Sequence, residues 1–379
     1  MATHRKTEKQ FLLKDLLFNE VKVGQLADEI AAVYSPFRRG DFVQELVLVF
    51  PALELMERIG EICDALYKYL PSDYEKAIKI ILKALPEPLD NNKSDDDFGD
   101  FIYAPYSYFV AKYGCSAKHL DVSHRALEEI TKRFSCEAAL RYFINAFPDE
   151  TLAVVNRWAK SSEYHVRRLA SESTRPSLPW AKKIVYDKKS FLPILDILHS
   201  DRTRYVTRSV ANHLNDVSKF APEEVLRRLE TWQKIQKQNP SELSFITAHS
   251  LRTLIKDGDA RALKLLGYSK AKVDAKLSLT KAKVKVGDQV EFVVSLANKE
   301  KFAAKILVHY VIHFKKANGT LSPKVFLAKK LKLAPGEKSI FKKSHSLKPM
   351  TTRVLHTGRH ILELRVNGIK VAIENFELA

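Results

Sequence analysis

Hydrophobic periodicity changes once along this chain, near Gly267, and that change commits it to two unlike architectures in series. Before it, apolar residues recur at spacings of three and four, as in VGQLADEIAAVY and, after the start signal at Pro71, DYEKAIKIILKAL. Beyond it the runs shorten and alternate apolar with polar: KVDAKLSLTKAKVKVGDQVEFVVSLANKE, AKILVHYVIHFKK, KVFLAKKLKLAPGEK and GRHILELRVNGIKVAIENFEL, parted by NKE, NGT, APGE and NG turns. The expectation is a multidomain chain, an all-α region over residues 1–268 followed by an all-β, immunoglobulin-like sandwich over residues 269–379. No Cys-Trp-Cys pattern marks the β region, which leaves another β-sandwich open.

Within the helical part, VRRLAS at 166–171, VTRSVA at 206–211 and ITAHSL at 246–251 recur at intervals of 40 residues. The roughly 40–47-residue period of HEAT and armadillo helix pairs includes that spacing. Such pairs stack into a solenoid whose concave face cradles an elongated partner; an ordinary helical domain with coincidental spacing is the alternative. The polar stretch NNKSDDDFGD, residues 91–100, is the most loop-like part of this half.

A formal charge of +18 points to a polyanionic partner, nucleic acid or an anionic membrane. Its placement says more: residues 270–379 hold 23 Lys and Arg against 8 Asp and Glu, and residues 151–220 hold 13 against 6. Basic turns such as KKANGT at 315–320 and KSHSLKPMTTR at 343–353 offer side chains to such a partner. Cys63, Cys115 and Cys136 are too few and too scattered for a disulfide scaffold or a four-cysteine metal site, and they fit a reduced, cytoplasmic setting. Neither MATHRKTEKQ nor the FLLKDLLFNE behind it makes a signal peptide or a membrane span. The chain has no GxxxxGK[ST], GxGxxG or HExxH motif. His309 and His313 share a strand face in HYVIH, but without a cysteine partner they read as strand-surface histidines and no metal site is expected. With no coiled-coil heptads, a monomer is expected.

The stretch HVRRLASESTRPSLPWAKK, residues 165–183, carries the densest candidate chemistry. Arg168, Glu172 and Arg175 fall three and four apart, on one side of a helix for as long as it continues. Pro176 biases Arg175 toward extended backbone, so the cluster sits at a helix end, before a PSLP turn that fixes Trp180. In RYVTRSVANHLNDVSK, Arg208, Asn212 and Asp216 form a polar stripe opposite Val206, Val210, Leu214 and Val217. Upstream, FSCEAALRYFI offers Ser135 as an N-cap and Glu137 in the first turn. Solvated ion pairs, a core tryptophan and an acidic residue favoured by the helix dipole are the structural alternatives.

The block from Trp158 to Lys183, WAKSSEYHVRRLASESTRPSLPWAKK, followed by RYVTRSVANHLNDVSK, closely resembles the AlkC family of alkylpurine DNA glycosylases. The likeness extends over roughly residues 8–267, and longer members of that family add an immunoglobulin-like C-terminal domain. At Ser173 this chain departs from a position where glycine is common. The resemblance implies a HEAT-like enzyme that hydrolyses the N-glycosidic bond of cationic N3-alkylated adenine, particularly 3-methyladenine, in double-stranded DNA. Base excision leaves an abasic site and needs no metal or organic cofactor. It further implies catalytic roles for Glu137, Glu172 and Asp216, with Trp180 at the lesion. His165, Arg168, Arg175, Arg208, Asn212, Lys182 and Lys183 become candidates for lesion or DNA contact, the arginines also for holding the carboxylates. The competing reading is a noncatalytic HEAT-repeat protein that binds damaged or distorted nucleic acid.

Overall fold

The computed structural model describes residues 12–95, 98–349 and 354–379. Asp96 and Asp97 of the polar insert, and Met350 to Arg353 of the basic 343–353 stretch, lie outside the described residues. An all-α N-terminal region is followed by a C-terminal β-sandwich. Among the described residues no helix is long and apolar enough to cross a membrane. Two compact units divide the chain: residues through Val217 with Gln236–Glu242, and Ser218–Ile235 with Leu243–Ala379.

The 40-residue rhythm reflects helix pairs. Its first two beats fall in the Tyr164–Glu172 and Arg204–Val217 helices, each preceded by a partner, Pro148–Trp158 and Leu192–Leu198. Pro148 and Pro193 stand in the first turns of those partners, where a missing N–H is harmless. Fully buried Tyr164, Leu169, Val206, Val210 and Leu214 line the apolar side of the second helices. The polar insert is docked on their starting ends: Tyr205 N donates to Ser94 O (3.0 Å) and Tyr164 N to Asn91 Oδ1 (3.3 Å).

In the second unit, β1 (Val273–Leu279), β3 (Gln289–Asn298) and β6 (Lys338–Ser346) form one sheet, in the order β1-β3-β6. The other runs β2-β8-β7-β4-β5, with β2 Lys283–Val284, β4 Ala304–Lys315, β5 Leu321–Leu333, β7 Gly358–Val366 and β8 Ile369–Leu378. Val290, Phe292, Val294 and Leu296 of β3 pack with Ile306, Val308, Tyr310 and Ile312 of β4 as the core. The KKANGT turn joins β4 to β5, while Lys343 to Ser346 belong to β6 and not to a loop.

One sequence expectation is corrected here. His309 is not a surface histidine, being 6% exposed, because the outer face of β4 is covered as well as the inner one. The last helical segment lies against this sheet: Arg365 donates to Lys256 O (3.5 Å), Asn367 to Ser269 O (2.6 Å), and Gly258 meets Gly368 so closely that a Cβ on Gly368 would stand 2.9 Å from Gly258 Cα. Burial therefore pushes the His309 imidazole down to about 4. His313 shares a hydrogen bond with Glu363 Oε2 at 3.1 Å.

Candidate active site

Three helices bring the expected carboxylates together. Glu137 opens the Glu137–Ala146 helix, Glu172 ends the Tyr164–Glu172 helix, and Asp216 stands near the end of the Arg204–Val217 helix. Glu172 and Asp216 are 5% and 4% exposed. A buried carboxylate needs partners that repay its lost hydration, and here two arginines supply them. Arg168 reaches Glu137 Oε2 at 3.2 Å and Glu172 Oε1 at 3.8 Å. Arg175 reaches Glu172 Oε1 at 2.5 Å and Asp216 Oδ2 at 2.9 Å. The result is a chain of alternating charge: Glu137, Arg168, Glu172, Arg175, Asp216.

Glu172 is its centre. Burial opposes ionisation, but Arg168, Arg175 and the hydroxyl of Ser209, which donates to Oε2 at 2.6 Å, hold the carboxyl below the usual glutamate range. For Arg168 burial is likewise outweighed, by Glu137 and Glu172, so its guanidinium is held more firmly protonated than usual. Its Cζ stands 4.6 Å from the Tyr205 ring centre, and it also donates to Ser135 Oγ. Ser135 is thus a ligand of Arg168 and not the helix cap: Cys136 is the N-cap residue, with no side-chain capping bond.

The PSLP turn behaves differently from the cluster before it. Trp180 is 88% exposed and takes φ +60°, a left-handed backbone that costs an L-residue about 1–3 kcal/mol. Two side chains absent from the sequence-based set hold this segment. Arg141 donates Nη1 to Ser173 O (3.1 Å) and Arg175 O (2.8 Å), and Nε to Lys182 O. Asn145 donates to Lys183 O (2.9 Å) and accepts from Val185 N (3.1 Å). Glu137, Arg141 and Asn145 are spaced by four, the same stripe signal that marks Arg208, Asn212 and Asp216. Ser209 and His213 lie on the flank next to that stripe: His213 Nδ1 meets Ser171 O at 3.2 Å, and burial pushes its pKa down to about 4. Ser173, where glycine was noted as common, is ordinary right-handed backbone at φ −66°, with its hydroxyl donating to Leu169 O at 2.7 Å.

The remaining candidates are spread out. His165 is buried, its ring 4.0 Å from Tyr164 and 5.9 Å from Tyr205. Arg208 pairs with Asp95 of the polar insert, and Asn212 is half-buried on the same helix. Lys182 and Lys183 are exposed, the Lys182 ammonium 4.1 Å from the Tyr142 ring centre. Chemically, the cluster is a set of preorganised anions in a desolvated setting, suited to stabilising a cation that forms beside it.

Residues 94–251 match the family described as DNA alkylation repair enzyme, and residues 273–379 match the C-terminal Ig-like domain of the uncharacterised protein YhaZ. Uncharacterized protein YhaZ of Bacillus subtilis (strain 168) is 32% identical over 358 residues, covering 93% of this chain and 95% of that protein. The solved structure of Pseudomonas fluorescens alkylpurine DNA glycosylase AlkC, bound to DNA containing an abasic site analog, superposes with a TM-score of 0.87 at 32% identity. That superposition covers 97% of this chain and 100% of the other. Likeness of this extent spans helices and sandwich alike, and the chain belongs to the AlkC-type family of alkylpurine DNA glycosylases with a C-terminal immunoglobulin-like domain.

Proposed function

We propose that this protein is a monofunctional DNA glycosylase that hydrolyses the N-glycosidic bond of cationic N3-alkylated adenine in duplex DNA and leaves an abasic site. The observation that carries the reading is the Glu137–Arg168–Glu172–Arg175–Asp216 chain, which fixes three carboxylates where phosphate binding alone has no use for them. An N3-alkylated adenine already carries its positive charge and departs as a neutral base, so no general acid is required. The demanding species is the oxocarbenium-like sugar.

Glu172 and Asp216 stabilise that charge and orient the water whose oxygen bonds to C1′, one carboxylate taking its proton. Glu137 assists. Trp180, exposed on its strained turn, meets the cationic base through its ring face. Arg168 and Arg175 hold the carboxylates, and buried His165 supports the packing of the two helices behind them. Arg208, Asn212, Lys182 and Lys183, and separately the basic side chains of the sandwich, are assigned to the polyanion, in keeping with a protein that works on DNA.

The test is direct: purified protein incubated with duplex containing 3-methyladenine releases the free base and leaves the phosphodiester chain intact. Folded protein that binds this duplex and releases no base refutes the reading.

A further inference from the structure

The segment that presents Trp180 is tied at both ends to one face of the Glu137–Ala146 helix. Arg141, 1% exposed, spreads its guanidinium over carbonyls on both sides of the turn, those of Ser173 and Arg175 before it and that of Lys182 after it. One turn further along the helix, Asn145 pairs with Lys183 O and Val185 N. A planar fork can bind carbonyls that lie apart, whereas a lysine ammonium is a single point donor. The left-handed φ of Trp180 needs such over-determination to persist, and Pro176 and Pro179 stiffen only the chain between the anchors. The same helix carries Glu137 in its first turn, so the anchors and one carboxylate move as a rigid body.

We propose that Arg141, supported by Asn145, is a positioning residue for the glycosylase reaction: through the Ser173, Arg175 and Lys182 carbonyls it fixes Trp180 where the indole meets the lesion, without touching substrate itself. This rests on the function proposed above. Burial and the neighbouring Arg175 lower the Arg141 pKa to about 10, which leaves the guanidinium charged at neutral pH.

Trp158 and Trp232 are buried at 0% and 2% exposure, so emission quenched by acrylamide reports Trp180. In the full chain, Arg141→Lys is expected to slow single-turnover release of 3-methyladenine on the order of 100-fold. Duplex affinity should shift by less than about threefold, because no phosphate contact is removed, and the quenchable emission should gain a fast anisotropy component. In a Trp180→Ala background the same substitution should add almost no further loss, since both act through one indole. Wild-type excision by Arg141→Lys, or an equal loss in both backgrounds, overturns the proposal. Should Arg141→Lys fail to fold, Asn145→Ala carries the same test with a loss of about tenfold. If the wild-type protein releases no base, the function reading fails separately, and unchanged Trp180 anisotropy in both variants then overturns the positioning role.

Discussion

Replacing Glu172 with Gln removes one negative charge and keeps the length and planarity of the side chain. The carboxylate is 5% exposed, with Arg175 Nη1 at 2.5 Å, Arg168 Nη2 at 3.8 Å and Ser209 Oγ at 2.6 Å, so two effects are separable. For stability, breaking a buried pair from one side costs about 3–5 kcal/mol. Arg168 keeps Glu137 and Arg175 keeps Asp216, which places Glu172→Gln at the low end, about 3 kcal/mol. For catalysis, a carboxylate about 5 Å from the sugar cation contributes about 3 kcal/mol at an effective dielectric of about 20. That corresponds to a rate loss on the order of 10²-fold.

Urea unfolding reads the first effect and single-turnover release of 3-methyladenine the second. Fluorescence anisotropy with the same duplex should show binding unchanged or tighter, since a charge repelled by phosphate has gone. A folded Glu172→Gln variant that excises within about threefold of wild type would refute the catalytic role. A stability loss on its own would leave Glu172 as a structural ion-pair partner.

Other consequences follow from the same contacts. Arg168→Ala removes a buried partner of two carboxylates, so excision and stability should fall while the salt dependence of duplex binding stays as in wild type; a flatter salt slope would make Arg168 a phosphate ligand. The double substitution Lys182→Ala/Lys183→Ala should do the reverse, lowering the slope of log K against log salt by about 1–2 with folding intact. His124, His213 and His309 are each held down to about 4 by burial, so the unfolded chain binds more protons between about pH 6.5 and that value. Stability should therefore drop as pH falls through this window, with proton uptake on unfolding readable from urea midpoints. Glu172, whose folded pKa is depressed, adds stability above the ordinary glutamate range that is lost only at more acid pH; Glu172→Gln should flatten that later limb.

Much of the site was legible because helical spacing is a local rule. Three- and four-residue intervals placed Arg168 with Glu172 and aligned Arg208, Asn212 and Asp216, and prolines announced a turn before Trp180. Local rules do not say which helix faces which. Ser135 has the sequence of an N-cap, yet its hydroxyl is taken by Arg168 from another helix. Arg208 and Asp216 share a stripe but pair with different segments, Asp95 and Arg175. Arg141 and Asn145 showed the same four-residue signal as the recognised stripe, but their partners are main-chain carbonyls, which carry no residue identity to search for.

The sequence by itself determined the order of architectures, the helix-pair rhythm and the turns between strands, because each follows from periodicity or from chemistry within a few residues, whereas the three carboxylates were singled out by the family resemblance and not by their spacing. Only the tertiary structure decided which distant carboxylate each arginine reaches, Glu137 for Arg168 and Asp216 for Arg175, that His309 lies beneath covering residues, and that the indole stands out on a left-handed turn. Those outcomes depend on which groups lose water together. A buried charge accepts whichever partner the packing of distant segments brings within reach, and no interval along the chain encodes that choice.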